Sequence, residues 1–156
     1  MAWFADLSPC SYFGDEHATG LIAVGWLEAD HEFPCGDVSA ACVGRLHELF
    51  ASPWQPLIFC GYHSCSLCPP GPRLPPGQLY RPAQPRGYRN LFVPATGFLY
   101  VTPELVLHYI AAHRYHPPAE FEDAVLACPP METAAYMRAV RANAPATLLA
   151  LLAPSQ

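Results

Sequence analysis

The chain has 156 residues, of which 52% are hydrophobic and 13% are charged, a balance that excludes a disordered chain and suits one domain with its own core. Its formal net charge is −5, and its eight basic residues are all arginines, scattered from Arg45 to Arg141 without a basic run. Because a nucleic-acid binder needs a concentrated positive surface, we expect no nucleic-acid partner.

The first half of the chain predicts a strand, a helix and a second strand. Residues 21–27 (LIAVGWL) form a short apolar run before polar residues, which predicts a buried strand. Asp37 is the predicted N-cap of a helix that runs to about Ala51 and buries one apolar stripe. Prolines end that helix, and residues 56–60 (PLIFC) predict a second strand.

A proline-rich segment follows at residues 69–94. It contains eight prolines, three glycines and no acidic residue, a composition that fits neither a helix nor a central strand. We expect an extended surface excursion within a single domain that covers residues 1–156. At its end, residues 90–94 and 98–101 flank an Ala-Thr-Gly turn, which predicts a hairpin.

The C-terminal third of the chain predicts helices. Thr102 as N-cap and Pro103 at the first helical position predict a helix to about His113. Further helices are predicted after the proline pair at 117–118, at residues 131–142 and at residues 146–153. Because strands precede helices, the sequence predicts an α+β fold with a small mixed or antiparallel sheet and a helical C-terminal third.

The N-terminus and the cysteines indicate the cellular compartment. The N-terminal sequence lacks a basic segment followed by an apolar stretch, so it does not predict a signal peptide, and no run of about 18 apolar residues could span a membrane. We therefore expect a cytoplasmic protein without a membrane partner. In that reducing compartment the seven cysteines would be metal ligands or reactive groups rather than disulfides. The absence of lysine is typical of a bacterial genome rich in G and C.

The residues best suited to chemistry lie between positions 60 and 68. Cys65 and Cys68 form a C-x-x-C pair, whose spacing lets one turn aim both sulfurs at one ion, and His63 lies two residues upstream. We predict one zinc ion on these three residues, with a structural role that requires a fourth ligand. The leading candidates for that ligand are Cys60, by its proximity, and His113, at the end of a predicted helix, where His116 is a further candidate.

Other interpretations of the C-x-x-C pair fit less well. A thioredoxin-like pair normally opens a helix, which Pro69 and Pro70 prevent. A c-type haem needs a histidine directly after the second cysteine, and a zinc deaminase needs an H-x-E motif; this sequence has neither. His108 and His113 stand about 140° apart on a helical wheel, so we expect them to serve different surfaces.

The remaining histidines and cysteines are expected to have no metal role. His17 and His31 stand beside carboxylates, which predicts surface loop positions, and His47 predicts a helix surface. Four cysteines are spread too widely to form a motif, and we expect them to be buried or incidental: Cys10, Cys35, Cys42 and Cys128.

Several groups of residues along the chain carry a resemblance to a known family. Among them are Asp6-Leu7-Ser8, the Gly61-x-His63-x-Cys65-x-x-Cys68 motif, and Tyr100-x-x-Pro103-x-Leu105 followed by His108-Tyr109. With them, residues 5–127 resemble a group of small bacterial proteins that form a domain of unknown function. The resemblance implies no activity. It implies that the His-x-Cys-x-x-Cys residues matter and that His108 lies near them.

Three functions remain open from the sequence. The leading interpretation is a binding or adaptor module for another protein, in which zinc staples the turn at 60–68 to the C-terminal helices. An acidic immunity or antitoxin-like protein is the second, on the net charge alone. The third is a zinc hydrolase with an open coordination position and with Glu120 or Asp15 as general base. It ranks last because no motif places a carboxylate beside the ion. The sequence therefore favours a non-enzymatic role.

Overall fold

The computed structural model describes residues 2–58, 61–69 and 84–151 of the chain. A 3-10 helix at Asp15–Gly20 precedes the strands β1 (Leu21–Ala23), β2 (His63–Ser64), β3 (Arg86–Gly87), β4 (Asn90–Ala95) and β5 (Phe98–Pro103). The helices are α1 (Ala40–Ala51), α2 (Leu105–His113), α3 (Ala119–Ala127), α4 (Ala134–Asn143) and α5 (Ala146–Ala150). These elements form one α+β domain with a helical C-terminal part, as predicted.

A three-stranded sheet of order β1-β5-β4 organises the core. Strands β4 and β5 are the predicted hairpin, and its turn contains Gly97 with a φ of +84°, a left-handed conformation that glycine adopts without strain. Strand β1 pairs in parallel with β5, and Leu21 lies opposite Leu99. The sheet is therefore mixed, and its parallel pair joins the N-terminal segment to the C-terminal half.

Strand β1 is shorter than the strand predicted at 21–27. It ends before Gly25, whose φ of +72° breaks an extended run. The N–H of Gly25 donates to Asp6 Oδ1 at 2.8 Å. After this bend the side chain of Trp26 turns into the core, where it is 1% exposed, and its Nε1 donates to the carbonyl oxygen of Val101 at 3.0 Å.

The carboxylate of Asp6 fastens this bend to the C-terminal half. Its second oxygen, Oδ2, accepts a hydrogen bond from the hydroxyl of Tyr115 at 2.8 Å. Burial raises the pKa of Asp6 above its ordinary value of 3.8, against the lowering effect of the hydrogen bonds from Gly25 and Tyr115. Among the described side chains, no cation forms an ion pair with Asp6. Within the described part of the chain, its contacts are therefore the hydrogen bonds from Gly25 and Tyr115.

Replacement of Asp6 by asparagine is expected to remove a pH dependence of stability. Because the folded-state pKa lies above the unfolded value, this carboxyl contributes stability that is fully present below 3.8 and is lost as the pH rises through the folded-state pKa. Asparagine keeps an oxygen for Gly25 but cannot ionise. In urea titrations, the unfolding free energy of the wild type minus that of Asp6→Asn should fall from about pH 4 to about pH 7. A difference that stays constant over this pH range would contradict the prediction.

Helix α1 is capped by Ser39 rather than by the predicted Asp37. The Ser39 hydroxyl oxygen accepts a hydrogen bond from the N–H of Cys42 at 3.2 Å, which satisfies one of the free amides of the first turn. The helix buries four of the six positions predicted for its apolar stripe, Cys42, Leu46, Leu49 and Phe50, whereas Val38 is half-buried and Ala41 is exposed. Helix α1 packs chiefly against α3.

Helix α2 begins at Leu105 and not at Pro103. Pro103 is instead the last residue of β5. The pairing of β1 with β5 ends at Val101, so no β1 residue lies opposite Pro103. The missing N–H of this proline therefore costs no hydrogen bond to β1. A proline at this position therefore fits a strand end as well as a helix start, and the prediction of the helix start was wrong.

Two predicted segments lie partly outside the described residues. In the strand predicted at 56–60, residues 56–58 form no strand, and the last two residues are not described. In the excursion predicted at 69–94, residues 70–83 are not described, so its surface location stays a prediction. The described end of that segment contains β3, which pairs antiparallel with β2, and the start of β4.

The last two helices pack against the sheet and the 3-10 helix. Thr133 caps α4 through its Oγ1, which accepts from the N–H of Tyr136 at 3.1 Å. The buried Tyr136 donates its hydroxyl to the carbonyl oxygen of Phe92 at 2.8 Å. Thr147 of α5 bonds the His17 Nδ1 at 2.8 Å. Within the described part of the chain, no helix combines the length and the apolar character needed to cross a membrane.

Candidate metal centre

Four donor side chains converge beside helix α2. The sulfur atoms of Cys65 and Cys68 and one ring nitrogen each of His108 and His113 all lie within 4.8 Å of one another. Two of these donors come from the C-x-x-C turn, and two come from a helix that begins well beyond it in sequence. The fold therefore builds the group from two separate segments.

The ribbon of β2 and β3 positions the C-x-x-C turn. Cys65 follows β2 directly, and its N–H donates to the carbonyl oxygen of Pro85 at 3.0 Å, which extends the ribbon by one bond. At the other end of the turn, Gln84 Nε2 donates to the carbonyl oxygen of Cys68 at 2.9 Å. The side chain of Cys65 is fully buried. Both cysteines are thus attached to the same end of the ribbon.

Helix α2 supplies His108 from its middle and His113 as its last residue. Arg114 follows in the left-handed conformation with a φ of 56°, and its N–H donates to the carbonyl oxygen of Tyr109. The N–H of Tyr115 donates to the same oxygen at 3.1 Å. These two bonds are those of a helix C-terminal motif, which ends α2 directly after its second histidine.

Four of the six distances between the donor atoms lie between 3.2 and 3.5 Å, and all six lie within 4.8 Å. The Nε2 of His113 lies 3.3 Å from the sulfur of Cys65, 3.5 Å from that of Cys68 and 3.2 Å from the Nε2 of His108. The Nε2 of His108 lies 3.3 Å from the sulfur of Cys68. The prediction that the two histidines serve different surfaces is therefore wrong. A helical wheel describes directions at the backbone, whereas an imidazole is long enough for two rings to lean toward a point between them.

Burial controls the protonation of this group. It raises the pKa of the Cys65 thiol above its ordinary value of 9.0; backbone hydrogen bonds oppose this, and the neighbouring Cys68 adds to it. Burial also lowers the pKa of His108, and the charge of His113 lowers it further. At neutral pH the His108 ring is therefore neutral and has a lone pair to offer, whereas Cys65 must lose a proton to bind a metal.

Three of the five predicted ligands belong to this donor group: Cys65, Cys68 and His113. The fourth member, His108, was not a predicted ligand, because local spacing carries no information about a residue 40 positions away. The resemblance to a family of small proteins was the signal that pointed to it. The prediction centred the ligands on residues 60–68, whereas the donor group in the structure combines two cysteines of that turn with two histidines of α2.

Another predicted ligand, His63, is not in the donor group. The Nε2 of His63 lies 2.6 Å from the hydroxyl of Tyr12, and its ring packs edge-on against Trp26 with centroids 6.0 Å apart. His63 is half-buried, and burial lowers its pKa. It therefore anchors the start of the turn in the core. Cys60 lies outside the described residues.

The remaining histidines and cysteines have varied positions. His17 is 5% exposed, so its predicted surface position is wrong; the hydroxyl of Thr147 from α5 reaches its ring and covers it. His31 and His47 are exposed, as predicted. Of the four scattered cysteines, Cys35 is exposed and three are buried: Cys10, Cys42 and Cys128.

These features define an α+β domain with a group of two cysteines and two histidines that could hold a metal ion. The chain belongs to the family DUF7919, a domain of unknown function, whose model matches residues 2–126. The match contains all four donor residues and ends within α3. No curated protein and no solved structure matches the chain. The predicted membership of a family of unknown function is thus confirmed, while its bacterial origin and shared motif stay predictions.

Proposed function

We propose that Cys65, Cys68, His108 and His113 bind one zinc ion that stabilises this domain, and that the domain is a binding or adaptor module for another protein. The contacts around the Nε2 atom of His113 are the main support for the proposed zinc site. A ring nitrogen either donates one hydrogen bond or accepts one. Three other possible metal-ligand atoms nevertheless surround this nitrogen at 3.2 to 3.5 Å, more than its single hydrogen bond can satisfy. A shared cation accounts for all three contacts at once.

The donor spacing also fits the size of a zinc site. Bonds of about 2.05 Å to nitrogen and about 2.3 Å to sulfur at tetrahedral angles place two nitrogens about 3.3 Å apart and a nitrogen and a sulfur about 3.6 Å apart. The corresponding distances are 3.2 Å between the two nitrogens and 3.3, 3.3 and 3.5 Å for three of the four nitrogen–sulfur pairs. A tetrahedral set of two thiolates and two imidazoles is typical of zinc.

The number of protein ligands supports a structural ion over a catalytic one. Catalytic zinc sites keep one position for water or substrate, whereas four protein ligands fill a tetrahedron. Neither Asp15 nor Glu120, the general bases considered for a hydrolase, is part of the donor group. The immunity-like alternative continues to rest on the net charge of −5 alone. A structural zinc in a non-enzymatic domain is the function that we favour.

A protein-binding role is supported by the surface of the β2–β3 ribbon. Tyr62 and Tyr88, which flank the ribbon, are 67% and 56% exposed, and their rings meet edge to face with centroids 5.7 Å apart. The guanidinium groups of Arg86 and Arg89 lie 5.8 and 5.7 Å from the centroids of those rings. Tyrosine and arginine are enriched in the energetic centres of protein interfaces. An ion that fixes the turn after β2 would hold this surface in one arrangement.

Metal analysis of the purified protein tests the proposed ligands. We expect about one zinc per chain in protein that has never met a metal-affinity column, and X-ray absorption should show two sulfur and two nitrogen ligands. His108→Ala should lower the zinc content at least tenfold, because it removes one of the four ligands that complete the tetrahedral site. His63→Ala is the matched control and should keep the zinc. Loss of zinc in the control with retention in His108→Ala would overturn the assignment.

A further inference from the structure

A cavity separate from the metal centre opens at the N-terminal end of the molecule. Its volume is about 400 Å³, and it lies between residues 3–6, residues 32–34 and residues 116–118. Leu27 and Pro117, both buried, form its apolar floor. None of the four donor residues lines it. This volume lies within the range of about 300–1,000 Å³ that is usual for small-molecule sites.

The walls of the cavity are aromatic and held in place. The rings of Trp3, Phe4 and Phe33 line it. Trp3 stacks on the exposed ring of His31 with centroids 3.7 Å apart and 12° between the planes. Phe4 meets Trp26 edge to face at 5.6 Å, and Phe33 meets the buried Tyr115 in the same way at 6.2 Å. Each ring thus has a neighbour that orients it before any ligand arrives.

The charged side chains that line the cavity are acidic. They are Asp6 and Glu32; the titratable ring of His116 also lines the cavity, and no lysine or arginine of the described residues does. The two oxygens of Asp6 each accept one hydrogen bond, from Gly25 and Tyr115, but an ionised carboxylate has about four acceptor positions. Asp6 has no ion-pair partner among the described side chains. A half-buried negative charge with acceptor capacity to spare therefore faces aromatic walls.

We propose that this cavity binds a small organic ammonium compound. The cationic group would lie between the carboxylates of Asp6 and Glu32 and the aromatic faces, and its alkyl part would lie on Leu27 and Pro117. Aromatic rings attract a cation through their negative faces, most strongly where water is excluded. The carboxylates would repel an anion, and they gain nothing from a neutral ligand of the same shape. This inference does not depend on the metal centre.

A pair of matched probes tests the role of charge. Choline and 3,3-dimethylbutan-1-ol have the same shape, but only choline carries a positive nitrogen. In calorimetric titrations of the purified full chain, choline should bind at least about tenfold more tightly than its uncharged analogue. Equal affinities would show an apolar cavity that makes no use of its carboxylates, and the absence of choline binding at millimolar concentration would likewise overturn the proposal.

Substitutions test the location of that binding. Glu32→Gln, an exposed position, should weaken choline binding about two- to fivefold, as expected for an exposed ion pair, and Phe33→Leu should weaken it to a similar extent. Glu48→Gln is the matched control, because Glu48 lies on α1 and pairs with Arg45 away from the cavity. The zinc content and the circular dichroism of each variant report on folding separately from binding. Choline affinity that is unchanged in Glu32→Gln and in a folded Phe33→Leu would overturn the assignment.

Discussion

Removal of the metal is expected to unfold most of the domain. The binding free energy of a structural zinc ion is about 10–16 kcal/mol at neutral pH, whereas the net stability of a folded domain is about 5–15 kcal/mol. The double variant Cys65→Ser, Cys68→Ser removes both thiolates, and a strong chelator removes the ion itself. Either treatment should lower the melting temperature by at least about 15 °C in circular dichroism, because each kcal/mol corresponds to about 2–4 °C in a chain of this size.

One single variant controls for the substitutions themselves. Cys35→Ser changes an exposed cysteine that is not in the donor group, so it should change the melting temperature by no more than about 2 °C. The double variant should also no longer respond to added zinc, whereas the chelated wild type should recover its structure. A chelated wild type that melts within a few degrees of the zinc-loaded protein would contradict a stabilising role for the ion.

Trp26→Ala is expected to be the most destabilising single substitution in the apolar core. Trp26 is the largest side chain that the core buries completely, with 1% of its surface exposed. Truncation of such a side chain costs about 3–5 kcal/mol, because the cavity that it leaves does not close. The lost bond to the Val101 oxygen adds little, since the N–H of Val24 donates to the same oxygen at 3.0 Å. The melting temperature should therefore fall by about 6–20 °C.

Three measurements define the origin of that loss. Trp26→Phe keeps a ring in the site and should lose less than half as much stability. Trp3→Ala, which removes a tryptophan that is 39% exposed, should cost less than about 1 kcal/mol in the absence of ligand. Both Trp26 variants should keep their zinc, which separates core packing from metal binding. A Trp26→Ala protein within about 1 kcal/mol of the wild type would show that the core can collapse around the site.

Features set by neighbouring residues were predictable from the sequence. The β4–β5 hairpin follows from one glycine in a short turn between two apolar runs. Helix α3 follows from the proline pair before it, and Pro118 stands at its N-cap. The two cysteine donors follow from the C-x-x-C spacing. In each case the residues that predict the feature are the same few residues that form it.

Features set by distant residues were not predictable in this way. The parallel pairing of β1 with β5 depends on a strand that occurs much later in the chain. The partnership of His108 with the C-x-x-C turn depends on how α2 leaves β5, and a helical wheel of α2 argued against it. His63 satisfied the local spacing rule, yet tertiary packing placed it against Tyr12. Local patterns identified the donor types, and the fold chose among them.

The parallel pair also has a consequence for synthesis of the protein. Leu21 cannot meet Leu99 until the ribosome has added 78 further residues. At about 5–20 residues per second, that interval lasts about 4–16 s. During it the apolar run that contains Trp26 has no sheet to join, so the nascent chain is most prone to aggregation before β5 emerges. The yield of folded protein should therefore depend on translation speed and on chaperones that shield the first quarter of the chain.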